Sequence, residues 1–174
     1  MYRRIALRKI IIILTAIVFT LIQTAVFPLF SFHAVYPNLL ILLTSLTGFT
    51  AGKREGMYTG FVCGLCMDFF GGAVLGFYAL VFMYLGYMNG IIRRFIYEED
   101  IIFPIILVTA TDFAYNFIYF VLNFMLRNRL QFGYYFLHTV LPEILFTAIL
   151  VLISYKQFLK IHKRLLQYEK GSEA

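Results

Sequence analysis

Three carboxylates stand in apolar surroundings: Asp68 in the run GMYTGFVCGLCMDFFGGAVLG from Gly56 to Gly76, Asp112 in ILVTATDFAYNF, and Glu143 just after the proline of LPEILF. The other six of the nine acids fall in connecting segments or the tail, where they are simply solvated. Asp112 is followed by Asn116, Tyr119 and Asn123 at offsets of four, seven and eleven, which draws a polar stripe down one helix face. His138 precedes Glu143 by about one helical turn. Such acids can serve as interhelical hydrogen-bonding groups, as ligand or partner contacts, or as stations for proton or ion movement, and the spacing favours the first. Catalysis fares worse. No Ser-His-Asp or Cys-His set has interpretable spacing, and neither HExxH nor a phosphate-cradling Gly-Lys motif is present. Cys63 and Cys66 form an isolated C-x-x-C that reads as small packing residues rather than a redox or metal pair. His33 and His162 read as solvated rather than metal-bound, so neither a metal nor a cofactor is expected.

The elements that must hold these residues are set by composition. The 174 residues are 61% hydrophobic and 14% charged, and their mean hydropathy is +0.83. That exceeds what a soluble core of this size requires and indicates an integral membrane protein. Fifteen Lys and Arg lie in short clusters between apolar runs, a pattern of membrane topology rather than of nucleic-acid binding. In lipid, each of the three acids costs on the order of 2.5 to 3.5 kcal/mol at mid-membrane if charged, so each needs a partner or a wet cavity.

Six crossings are expected, over about 7–27, 37–52, 56–70, 75–92, 101–125 and 134–155, forming a transmembrane domain over 1–157 with a basic cytoplasmic tail over 158–174. The first resembles a signal peptide but lacks a small-x-small cleavage site, so it reads as an uncleaved helix. Pro37 is placed in the first turn of the second helix and Pro104 in that of the fifth. Pro142 inside the sixth predicts a kink. The second helix spans roughly 24 Å, short of the roughly 30 Å hydrocarbon core. The tail is expected to continue for a helical turn or two before disorder and to be held at the anionic inner leaflet. Gly71-Gly72 marks a tight turn that makes helices three and four antiparallel neighbours. One side collects Arg3, Arg4, Arg8, Lys9, Lys53, Arg54, Arg93, Arg94, Lys156, Lys160, Lys163, Arg164 and Lys170, the other only Arg127 and Arg129. That asymmetry gives an N-in, C-in orientation.

Gly56, Gly60 and Gly64 repeat every four residues, Asp68 takes the next step, and Gly86 and Gly90 form a second such pair. Small residues at this spacing let helices approach closely. The series can be read as a dimer face or as internal packing, and Gly48 and Gly52 of the preceding helix favour internal packing. Asp68 lies near the outer boundary of its short helix, and Glu143 near mid-membrane.

Several of these residues carry a family resemblance: Pro37-Asn38-Leu39-Leu40, Lys53-Arg54, Gly60-Phe61, Gly64-Leu65 leading to Asp68, Gly71, Leu75-Gly76, Tyr78-Ala79-Leu80, and Gly86-Tyr87 before Arg93-Arg94. Over residues 37 to 94 the chain resembles the rod shape-determining MreD family. One departure is Asn38, where Asp is often expected. The resemblance implies a small multi-pass protein of the bacterial inner membrane with no enzymatic activity, a scaffold of the cell-wall elongation machinery. It implies a single-pass partner, MreC, and through it MreB, RodA and a class B penicillin-binding protein. The family is in turn similar to the six-helix substrate-binding subunits of vitamin transporters, which supplies the alternative function. In that alternative Asp112, Asn116 and Glu143 line an outward cavity. The polar residues read as spread over different depths, which favours packing and partner contacts over a ligand pocket.

Overall fold

The computed structural model describes residues 2–26, 37–71, 75–93, 102–127, 137 and 140–170. These form six α-helices: α1 (Tyr2–Leu21), continued by a π-helical turn (Ile22–Val26), α2 (Leu39–Ala51), α3 (Lys53–Gly71), α4 (Phe77–Ile92), α5 (Ile102–Arg127) and α6 (Leu141–Lys170).

The centre of the bundle is α2. Every residue from Leu39 to Thr50 is buried, the state expected of a helix apolar all round. Asn38 caps its start, with Oδ1 accepting the Ile41 N–H at 3.2 Å. Gly52 ends it at φ 95°, donating its N–H to the Gly48 carbonyl, and α3 begins at the next residue. A positive φ is open to glycine without the steric penalty other residues meet.

The hairpin of α3 and α4 packs against one side of α2, with α1 lying against α3; α5 and α6 pair with each other and reach α2 from the other side. Two apolar clusters flank the central helix. Ala16, Leu40, Ile41, Cys63, Phe82 and Tyr115 tie α1 through α5 together, while Leu42, Leu46, Val108, Val151 and Tyr155 join α2, α5 and α6.

Large apolar side chains cover the outside. Leu14, Phe69, Leu80, Ile106, Phe117, Leu145 and Ile153 are all exposed, whereas Thr44, Ser45, Asn89, Asp112, Asn116 and Thr147 are buried. Among the described residues one stretch, Ile102–Val121, is long and apolar enough to cross a membrane by those criteria; Lys9–Ala25, Leu39–Ala51, Phe77–Ile92 and Leu141–Tyr155 are shorter apolar helices.

Several boundaries differ from the sequence expectation. Pro37 precedes α2 instead of occupying its first turn, because Asn38 is the cap. The third helix starts at Lys53, three residues before Gly56, because Gly52 supplies the break. Pro142 is the second residue of the α-helix Leu141–Lys170 and follows Val140, which is π-helical. That helix runs unbroken to Lys170, far beyond the turn or two expected after Tyr155. The stop at Pro28 and the environment of His138 fall outside the described residues.

Candidate functional site

Asp68 sits one turn before the end of α3 and is 3% exposed. Across the hairpin, α4 starts at Gly76, whose φ of 92° places it in the left-handed region and which has no side chain to cap the helix. Asp68 supplies the cap from the neighbouring helix. Its Oδ2 accepts the N–H of Gly76 at 3.0 Å and of Ala79 at 3.1 Å, and its Oδ1 accepts that of Tyr78 at 3.1 Å. Those N–H groups are ones that helical geometry leaves unpaired, and a negative charge there is also favoured by the helix dipole. The acid is consumed within the chain.

The glycines close the same hairpin. A methyl group at Gly56 would fall on the Gly86 carbonyl oxygen and 2.6 Å from the Gly48 Cα, and one at Gly86 would fall on the Gly56 carbonyl. Gly60 faces the carbonyl of Phe82, Gly64 the backbone of Tyr78 and Ala79, and Gly90 the backbone of Lys53. Gly48 completes a three-helix contact, 2.7 Å from the Gly86 oxygen by the same measure. Backbones approach this closely only where no side chain intervenes. Gly71 is the last residue of α3, and Gly72 lies outside the described residues.

The second polar region joins the start of α2, the middle of α5 and the start of α6. Asn38 is 2% exposed, Asp112 0%, Asn116 3% and Thr147 0%. The Asn38 N–H donates to Thr147 Oγ1 at 3.3 Å, and the Thr147 hydroxyl donates to the Glu143 carbonyl at 2.9 Å. Asn116 Nδ2 donates to the Asp112 backbone carbonyl at 3.1 Å. The half-buried Glu143 carboxyl takes hydrogen bonds from Asn116 and Asn38 and lies in the field of Asp112. Nearby, Thr111 donates to Asn89 Oδ1 at 3.0 Å, linking α5 to α4.

A family model for the rod shape-determining protein MreD matches residues 3–161. The chain belongs to the MreD family. No curated protein and no solved structure matches it. As an MreD-family member it is a membrane protein with a role in determining rod shape, which accords with a helical bundle that is apolar outside and polar within.

In this MreD chain Asn38, Asp112, Asn116, Glu143 and Thr147 converge, while Asp68 stands apart at the α3–α4 hairpin. Glu143 stands in the first turn of the α-helix Leu141–Lys170. Thr147 was legible as the residue four after Glu143, hence on its face, and Asn38 as a capping type before an apolar run; neither signal says that the two helix starts meet. Tyr119 of the stripe stacks with Tyr78 and Tyr115, at centroid distances of 6.4 and 6.3 Å. Asn123, His33 and His162 have no described side-chain environment. Cys63 and Cys66 are both free thiols, Cys63 buried and Cys66 partly so.

Proposed function

We propose that the chain is a non-enzymatic scaffold of the bacterial cell-wall elongation complex, crossing the inner membrane six times with both termini inside and binding an MreC-like single-pass protein. MreB, RodA and a class B penicillin-binding protein are reached through that partner. The family match over residues 3–161 carries this reading. Orientation is supported by the end of the bundle where cationic residues gather: Lys9 Nζ lies 5.2 Å from the Tyr58 ring centroid, Gly90 meets the Lys53 backbone, and Arg93 approaches Gly52.

In this reading Asp68 and the seam of Gly56, Gly60, Gly64, Gly86 and Gly90 hold the scaffold together, and Asp112, Asn116 and Glu143 also face inward. The partner helix then meets the apolar outer surface. The domain over 1–157 is the transmembrane unit, and the charged end of α6 is its cytoplasmic extension.

Deleting the gene should round rod-shaped cells, and the tagged protein should copurify with a single-pass membrane partner. Rod shape retained after deletion, with no such partner recovered, would remove the proposal. One observation favours the reading as a vitamin transporter's substrate-binding subunit, namely the convergence of Asn38, Asp112, Asn116 and Glu143 on one place. Tight vitamin binding by the isolated chain would establish that reading over the scaffold.

A further inference from the structure

The polar cluster has a specific imbalance between donors and acceptors. Asp112 is fully buried, and neither of its carboxyl oxygens has a hydrogen-bond partner. Among the described residues it is the only side chain with two such orphaned atoms. The neighbouring donors are shared with other acceptors. Thr147 stands within reach of the Asp112 carboxyl, and its single hydroxyl proton is also claimed by the Glu143 carbonyl at 2.9 Å. Asn116 Nδ2 serves the Asp112 backbone carbonyl and Glu143. Asn38 gives its backbone N–H to Thr147 and its side chain to Glu143, while its Oδ1 is taken by Ile41.

A second carboxyl, Glu143, adds to the negative potential. Buried polar groups in native proteins are paired, and an exception calls for a partner such as an ion; buried charges are paired or coordinate metals. The donor set is all oxygen, with no group of three His, Cys, Asp or Glu among the described residues. Hard cations prefer such oxygens. Glu143 is partly buried and stands where α2 and α6 begin.

We propose that Asp112, with Glu143 and Asn116 beside it, is the centre of a buried site for a hard, oxygen-preferring inorganic cation of the Na⁺, K⁺, Mg²⁺ or Ca²⁺ class. The site needs neither the partner protein nor the assembled complex.

The test is thermal unfolding of the purified full-length protein in detergent, comparing choline chloride with NaCl, KCl, MgCl₂ and CaCl₂ at matched ionic strength. At about a hundredfold excess over its Kd, the bound ion should raise Tm by about 5 °C or more. That rise should vanish in Asp112→Asn and shrink in Glu143→Gln. No ion exceeding choline, or the full rise retained in Asp112→Asn, overturns the proposal. Should Asp112→Asn fail to fold, equilibrium dialysis of the wild-type protein against a radiolabelled ion decides. Stoichiometric uptake, weakened about tenfold or more by Glu143→Gln, supports the site, and no uptake refutes it.

Discussion

Asp68 and Gly76 are eight residues apart and belong to different elements, yet the Asp68 carboxylate accepts the Gly76 N–H at 3.0 Å and so begins the helix that follows its own. The turn residue has the backbone freedom to reverse the chain but cannot cap; the acid caps but could not adopt that turn without strain. Each supplies what the other lacks.

Replacing Asp68 by Asn removes the charge and one of the two acceptor oxygens that serve Gly76, Tyr78 and Ala79. A loss of about 1–3 kcal/mol follows from charge-assisted bonds left unmade. Thermal unfolding in detergent should show a lower Tm, and partner recovery should fall only in step with the folded fraction. Full stability with the partner lost would instead assign the acid to the interface.

Gly60→Leu and Gly56→Ala drive a side chain into opposing backbone, at Phe82 and Gly86 respectively. Overpacking of this kind costs about 1–3 kcal/mol when neighbours can shift, and here the neighbour is backbone. Folded yield after detergent extraction should drop sharply for Gly60→Leu. Gly76→Ala meets open space and should lose only about 1–2 kcal/mol, from its φ of 92°. Equal yields for all three variants would remove the close-approach account.

Cys63 is 0% exposed and should resist a maleimide in the folded state, reacting only after denaturation. Cys66, partly exposed, should label first. Mass spectrometry of the native and unfolded protein reads both sites; rapid native labelling of Cys63 would contradict the packing of α3 against α2 and α4.

A reporter fused after Ala174 should be active only if its fold matures in the cytoplasm, as the proposed orientation with thirteen cationic residues on that side predicts. Activity confined to the external side reverses the orientation.

The helical class and the shared face of the seam glycines were legible, because periodicity and small-residue spacing act within one helix. What lay beyond reach was the pairing of elements. Gly56 and Gly86 touch across thirty residues of sequence, and no local pattern selects that register over a neighbouring one. The same limit hid the meeting of Asn38 with Thr147, 109 positions apart, so the inward acids were placed at separate depths.

The burial of α2 bears on how the molecule is made. A thirteen-residue segment about 20 Å long is enclosed on one side by α3 and α4 and on the other by α5 and α6. All of that enclosure is translated after α2 itself. In the proposed six-crossing arrangement the segment would enter the bilayer before the walls of its permanent site exist, with Thr44, Ser45, Thr47 and Thr50 still facing lipid or the insertion machinery. Synthesis of the last helix is then the step that commits the whole bundle, and chains truncated before Leu141 should be targets for membrane proteases.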